Sequence, residues 1–213
     1  MNREEQKEIR ELKERLPKEI RFYRKEYDFY YQYGYLFRYE GDFLYNAIIS
    51  IPSNRVGEIS IATMIKPWIL NETYWKIQQM DMEEMNSQPK SFNVRGSFVI
   101  NDIYFNTESF PYDKEYFGSS VNRILSHFDD EILAHRKCLK DIHSIANGLE
   151  GYKVSNLTKA VIAIYDEDYE KALELLAIPD DSGDVYKHVQ LKDGEGKSAK
   201  DFAIEFCHAK LKG

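Results

Sequence analysis

The amino-acid sequence predicts an α+β protein, in which a mainly antiparallel sheet of about five strands and a long helix precede a short all-α tail. Three observations lead to this prediction. Residues 27–39 alternate with the period of a strand, residues 121–149 repeat apolar positions with a helical period, and short helical patterns follow Gly151. We therefore expect an α+β domain at 1–150 and a helical module at 151–213.

Composition and charge narrow the class of protein. A chain that is 43% hydrophobic and 31% charged is typical of soluble globular proteins, and its two cysteines supply no disulfide framework. The charged N-terminus is unlike a signal peptide, and no apolar run approaches the ~20 residues that a membrane span requires. We expect a cytoplasmic protein that does not bind membranes. The net charge of −7 argues against a nucleic-acid partner.

The aromatic segment at 27–39 is the most unusual stretch of the chain. Every odd-numbered position in it is aromatic: Tyr27, Phe29, Tyr31, Tyr33, Tyr35, Phe37 and Tyr39. This alternation indicates a single strand with one buried face. We interpret the row as one wall of a core, lined by Tyr33, Tyr35 and Phe37, in preference to an exposed stacking platform.

Periodicity and turn residues predict the other elements. The spacing of Ile9, Leu12 and Leu16 predicts a first amphipathic helix, which is kinked, or followed by a second helix, at Pro17. Further strands are expected at 43–51, 58–65, 92–100 and 103–110, with a short helix at 70–80. The long helix is expected at about 114–148, because its apolar stripe repeats every 3.5 residues.

The tail contains a repeat-like pattern. In the segment DGEGKSAKDFAIEFCHAKL (193–211), the residues Gly196, Ser198 and Ala199 stand where an ankyrin repeat has Gly, Thr and Pro or Ala, although Lys200 departs from the usual Leu. The segment thus resembles an ankyrin repeat. The resemblance implies a helical, partner-binding module.

The preceding segment, 160–184, is similar to the two helices of an earlier repeat. Taken alone, the stretch DYEKALELL within it is equally consistent with a tetratricopeptide helix pair. About seven residues are inserted relative to the ~33-residue ankyrin period. One and a half repeats cannot bury their own apolar faces. We therefore expect the tail to dock on the first domain, against the long helix.

A possible metal site lies on the long helix. His127, Glu131, His135 and Cys138 follow one another at spacings of four, four and three, so three of them could hold a metal. However, His135 falls within the apolar stripe, and Glu131 and His135 form an ordinary i,i+4 pair. The chain has no HExxH motif, and a catalytic zinc would need a third ligand from elsewhere, so we expect no metal and no other cofactor.

Other catalytic motifs are weak. The segment GEGKS (194–198) matches the end of a phosphate-binding loop, but the required first glycine is replaced by Leu191. Glu40 and Asp42 could form an acid/base pair, although turn chemistry and solvent exposure explain them equally well. The chain also lacks a GxSxG nucleophile motif. We therefore assign no catalytic residue.

Three residues are candidates for binding. Tyr30 and Arg38 are large side chains that stand out on the otherwise polar face of the aromatic strand. Together with Trp68, they could stack on a ligand or a partner. The simpler interpretation is that they cover the outer face of a sheet, in which case substituting Arg38 should hardly alter stability.

The missing motifs, the acidic charge and the repeat-like tail together favour a non-enzymatic protein that binds another protein. Small acidic α+β proteins of this kind resemble, in type, the immunity proteins of bacterial toxin systems. The alternative is an enzyme or a small-ligand-binding protein that uses a pocket beside the aromatic sheet.

Overall fold

The computed structural model describes residues 2–95, 99–146, 150–179, 188–190 and 196–213. It shows an α+β protein with a five-stranded antiparallel sheet, as predicted. The described residues form two compact units. Unit one comprises Met1–Glu40, Leu44–Ile65 and Phe105–Leu139, and unit two comprises Gly41–Phe43, Lys66–Tyr104 and Lys140–Gly213.

The elements of the first part of the chain, in order, are α1 (Arg3–Tyr23), β1 (Tyr30–Gln32), β2 (Tyr35–Glu40), β3 (Phe43–Ser50), β4 (Glu58–Lys66), α2 (Asn71–Ile77), α3 (Met82–Ser87), α4 (Phe92–Arg95) and β5 (Tyr104–Pro111). They continue with α5 (Phe117–His135), α6 (His143–Ala146), α7 (Asn156–Tyr165), α8 (Tyr169–Ala177), β6 (His188–Gln190), β7 (Gly196–Ser198) and α9 (Ala199–Lys212). The large sheet has the strand order β1-β2-β3-β4-β5, and β6 pairs with β7 in a small antiparallel hairpin.

Helix α1 has the amphipathic character that the sequence predicts. Asn2 caps it in a capping box with Glu5, which satisfies backbone N–H groups of the first turn. The apolar stripe is buried at every predicted position, namely Ile9, Leu12 and Leu16, and the helix passes through Pro17 to Tyr23. In unit one α1 packs against α5.

The aromatic segment is a hairpin rather than one strand, so that prediction is wrong. Tyr33 and Gly34 both have positive φ, 51° and 87°, and Gln32 pairs with Tyr35 across them. A two-residue turn with both φ values positive is the type I′ geometry that joins twisted strands. The turn reverses the chain in the middle of the aromatic row.

The reversal changes which aromatic side chains are buried. Phe29 and Phe37 are fully buried, as a core wall requires, and Tyr35 is half-buried. Tyr33, in contrast, is 64% exposed at the turn. The prediction that Tyr33 lines the core is therefore wrong. Leu36, on the opposite face of β2 from Phe37, is also fully buried, so both faces of this strand are covered.

Helix α5 is shorter than the predicted helix 114–148, because it ends at His135. The His135 carbonyl accepts the backbone N–H groups of Cys138 and Leu139, which closes the last turn. Leu139 and Ile142 stay buried in the turn that follows, so the apolar spacing continues where the helix does not.

The prediction of a strand at 92–100 is wrong for its first four residues, because Phe92–Arg95 forms the short helix α4. Phe92 N–H donates to the Pro89 carbonyl at 2.8 Å and begins a helical turn. Residues 96–98 lie outside the described part of the chain. The strands predicted at 43–51, 58–65 and 103–110 and the helix predicted at 70–80 correspond to β3, β4, β5 and α2.

In unit two the helices of the tail pack on each other and on an earlier helix. Helices α7 and α8 form a pair, α9 packs against α8, and α2 contacts both α7 and α9. An element from before residue 100 thus covers apolar surface of the tail. The domain division at residue 150 and the docking of the tail on the long helix stay predictions. Within the described residues, no helix is both long and apolar enough to cross a membrane.

Candidate functional site

The candidates Tyr30 and Arg38 both lie in unit one, on neighbouring strands of the hairpin. The Tyr30 ring is 44% exposed and stacks on Phe37, with 5.2 Å between ring centroids. Arg38 is 13% exposed at its side chain and is held by several groups at once. Its Nη1 lies 2.6 Å from Asp129 Oδ1 and donates to the Tyr27 carbonyl at 2.8 Å.

These contacts assign Arg38 a structural role. Its Nε lies 2.9 Å from Glu40 Oε1, and its guanidinium lies 5.0 Å from the centroid of the Phe29 ring. The donors of Arg38 are therefore directed at groups of the protein itself. Tyr30 keeps an exposed face for a partner, whereas Arg38 does not present its charge to solvent.

The candidate Trp68 lies in unit two, beside a cavity of about 300 Å³. Trp68 Nε1 donates to the Gly41 carbonyl at 3.0 Å. The cavity is lined by aromatic, apolar and polar side chains from residues 68–93: Trp68, Ile69, Asn71, Glu72, Trp75, Met85, Asn86, Gln88, Pro89, Lys90 and Asn93. A mixed lining of this kind, at the lower end of the usual size range, is typical of small-ligand sites.

Glu40 and Asp42 do not form an acid/base pair of the kind considered from sequence. Glu40 is an ion-pair partner of both Arg38 and Arg136, at 2.9 and 3.1 Å. Asp42 Oδ2 accepts the backbone N–H of Ile142 at 3.0 Å. Each carboxylate is thus committed to a different structural contact.

Two of the four metal candidates, His127 and Glu131, approach a further acidic side chain, that of Glu108. In unit one, Glu108 of β5 faces α5, and one ligand atom each from Glu108, His127 and Glu131 lies within 4.8 Å of the other two. The shortest pair is His127 Nε2 and Glu108 Oε2, at 3.2 Å. We call these three residues the Glu-His-Glu cluster.

The surroundings of the cluster are polar and partly buried. Burial is the main cause that raises the pKa of Glu131 above its ordinary value, and the negative charge of Glu108 adds to it. The neighbouring His127, Asn106 and Thr63 act in the opposite direction. Ionisation of a carboxyl group in these surroundings is unfavourable, and a bound cation would stabilise the ionised form.

His135 and Cys138 are separate from the cluster. The His135 ring stacks on Tyr45 at 6.2 Å, and burial lowers its pKa. Cys138 is exposed, and its Sγ lies 3.1 Å from the His135 carbonyl oxygen. His135 is half-buried, so it lies at the edge of the apolar stripe and not in the core position that the sequence predicted.

The segment GEGKS falls partly on residues 191–195, which lie outside the described residues. Its end is described: Ser198 is the N-cap of α9 and forms a capping box with Asp201. Hydrogen bonds from Ser198 lower the pKa of the Asp201 carboxyl. Helix capping thus explains this serine.

Sequence analysis did not single out Glu108 or Trp75. Glu108 is nineteen positions before His127 and on a different element, so no local spacing connects the two. Trp75 follows Trp68 by seven residues, and this repeat of the only two tryptophans was a signal that could have indicated a shared site.

Comparison of the chain with models of protein families, with curated proteins and with solved structures found no match.

Proposed function

We propose that this chain is a non-enzymatic protein that binds another protein, and that contact begins at a surface formed by Phe22, Tyr30 and Tyr33. We call this the hairpin surface. The observation that carries the proposal is the exposure of three large aromatic side chains of unit one: 70% for Phe22, 44% for Tyr30 and 64% for Tyr33. Aromatic side chains of this size are enriched at the energetic centres of protein interfaces.

Local geometry supports this choice of surface. Arg21, next to Phe22 at the end of α1, places its guanidinium 5.4 Å from the centroid of the Tyr31 ring. The end of α1 therefore lies beside the hairpin. The stacking of Tyr30 on the buried Phe37 and the turn that holds Tyr33 limit the freedom of both side chains, so less entropy is lost on binding.

The tail and the charge support a protein partner. The order helix pair, hairpin and helix in α7, α8, β6–β7 and α9 agrees with the proposed ankyrin-like arrangement, which serves protein binding. The net charge of −7 favours fast association with a basic partner. A bacterial immunity-like role, with a toxin as the partner, is the finer form of this proposal.

The test compares two variants, each of which removes exposed aromatic surface from unit one. The double variant Tyr30→Ser/Tyr33→Asn removes both rings of the hairpin, and asparagine suits the positive φ at position 33. Tyr116→Ala is the control, because Tyr116 is 65% exposed in the same unit. We expect the partner identified by cross-linking to lose most of its affinity for the double variant, measured by calorimetry, and to bind the control normally. Equal affinity of the partner for both variants would show that the hairpin surface is not the binding surface.

The cavity beside Trp68 favours a second function, the binding of a small ligand. Both tryptophans of the chain line it, and Asn71 Nδ2 donates to Asn93 Oδ1 at 3.1 Å within its wall. Intrinsic tryptophan fluorescence therefore reports on this cavity alone. A saturable change on titration with a small ligand, abolished in Asn93→Leu, would support this function, and an unchanged spectrum across a ligand panel would count against it.

A further inference from the structure

The Glu-His-Glu cluster has the composition of a metal site. His127 and Glu131 are one helical turn apart on α5, which places them on the same face, and Glu108 approaches them from β5. An imidazole nitrogen and two carboxylate oxygens are ligands that Zn²⁺ and similar divalent ions bind in proteins. The sequence analysis expected no metal here, because it had no third ligand.

Two ligand atoms of the cluster lack hydrogen bonds despite being buried. His127 Nε2 and Glu131 Oε2 are shielded from solvent and have no hydrogen-bond partner among the described residues. Buried polar atoms are nearly always satisfied, because an unsatisfied one costs about 1–3 kcal/mol. Two such atoms on facing side chains are consistent with a cation bound between them.

Neighbouring residues orient two of the ligands. Asn106 Nδ2 donates to Glu108 Oε1 at 2.7 Å, which leaves Oε2 as the oxygen nearer to His127. The Phe110 ring lies 4.9 Å from the His127 ring and restricts its rotation. In metal sites, contacts of this kind from neighbouring residues hold the ligating side chains in the orientation that the metal requires.

We propose that Glu108, His127 and Glu131 bind one divalent transition-metal ion, with Zn²⁺ as the preferred ion. Bonds of about 2.0–2.2 Å place ligand atoms of a tetrahedral zinc site roughly 3.4 Å apart. The separation of 3.2 Å between His127 Nε2 and Glu108 Oε2 already agrees with this value. Glu131 completes the site by a change of its own side-chain torsions, since its carboxylate lies within 4.8 Å of the other two ligands.

Three protein ligands leave one position of a tetrahedral ion open, as in zinc sites that bind water or a substrate group. The site lies in unit one and is independent of the hairpin surface and of the cavity beside Trp68. Failure of either proposed function would therefore leave this inference unaffected.

The experiment uses the full chain without an affinity tag, stripped with a chelator and titrated with ZnCl₂ in a calorimeter. We expect one equivalent of Zn²⁺ to bind and to raise the melting temperature. In Glu131→Gln and His127→Gln the affinity should fall at least about tenfold, and Zn²⁺ should no longer raise the melting temperature. Circular dichroism checks that each variant is folded.

His143→Gln is the matched control. His143 Nδ1 lies 3.4 Å from Asp166 Oδ2 in unit two, and this histidine–carboxylate pair has no third candidate ligand among the described residues. This variant should bind Zn²⁺ as the unmodified chain does. Absence of stoichiometric binding, or equal binding by all variants, would overturn the proposal and leave a hydrated His127–Glu108 ion pair.

Discussion

Arg38 Nη1 lies 2.6 Å from Asp129 Oδ1 and thereby connects strand β2 to helix α5 within unit one. The same guanidinium also approaches Glu40, so Arg38 pairs with two largely buried carboxylates. Arginine suits this position because its planar fork presents several donors in fixed directions. The sequence suggested an outward-facing residue that could be substituted without effect, and these contacts reverse that expectation.

Replacing Arg38 with methionine should lower the free energy of unfolding by about 2 kcal/mol or more, because Asp129 would lose its ion pair with Arg38 and Glu40 would keep only the exposed Arg136. Arg136→Met is the control: Arg136 also pairs with Glu40, but its side chain is 52% exposed. Loss of such an exposed pair costs at most about 1 kcal/mol. Urea denaturation measures both, and equal losses would contradict the assigned role of Arg38.

Phe37→Ala should destabilise the protein by about 3–5 kcal/mol, since it empties a fully buried position beside Leu36. Tyr33→Ala, four residues earlier in the same aromatic row, should change the unfolding free energy by no more than about 0.5 kcal/mol. Thermal and chemical denaturation compare the two variants. A large loss in the Tyr33 variant would restore the single-strand interpretation of the row.

Glu131→Gln should raise the melting temperature of the metal-free protein at pH 7. The folded-state pKa of Glu131 is raised above its ordinary value of 4.5, so the ionised form weakens the folded state. This penalty is fully present above the folded-state pKa and absent below about pH 4.5, where the carboxyl group is protonated in both states. The gain should therefore disappear in acid.

Glu115→Gln serves as the reference for that measurement, because Glu115 is exposed and outside the cluster. Calorimetric melting at pH 7 and pH 4 should show a gain for the Glu131 variant alone, and only at the higher pH. A gain of the same size at both values would mean that the effect is unrelated to ionisation.

The two cysteines should differ in reactivity. Cys138 is exposed, whereas Cys207 is buried in α9, and burial raises the pKa of its thiol. A thiol reagent should therefore modify one cysteine rapidly in the folded chain and the second only after unfolding. Peptide mapping identifies the first site as Cys138, and rapid modification of Cys207 would show that α9 opens readily.

Local patterns predicted most elements correctly where the apolar period and the turn residues agreed. Strands β3, β4 and β5 and helices α1 and α2 are of this kind. The turn at Tyr33–Gly34 was missed because tyrosine is not a usual residue at positive φ, although Gly34 was a local signal. The end of α5 was missed because no glycine or proline follows His135 and the apolar spacing continues to Ile142.

The candidate sites were less predictable, because they depend on contacts between distant segments. His127 and Glu131 could be identified from helical spacing, but their approach to Glu108 depends on how β5 packs against α5. Likewise, the buried surroundings of Arg38 come from Asp129, ninety-one residues later in the chain. Sequence spacing alone contains no information about such contacts.

The interleaving of the two units has a consequence for how the chain emerges from a ribosome. Unit one needs residues up to Leu139, while residues 66–104, which belong to unit two, are synthesised well before their partners at 140–213. The side of α2 that contacts α7 and α9 therefore stays uncovered until those two helices have been synthesised. Chaperones bind apolar surface that is exposed in nascent chains, and a gene truncated near codon 150 would leave the α2 surface that contacts α7 and α9 without its cover.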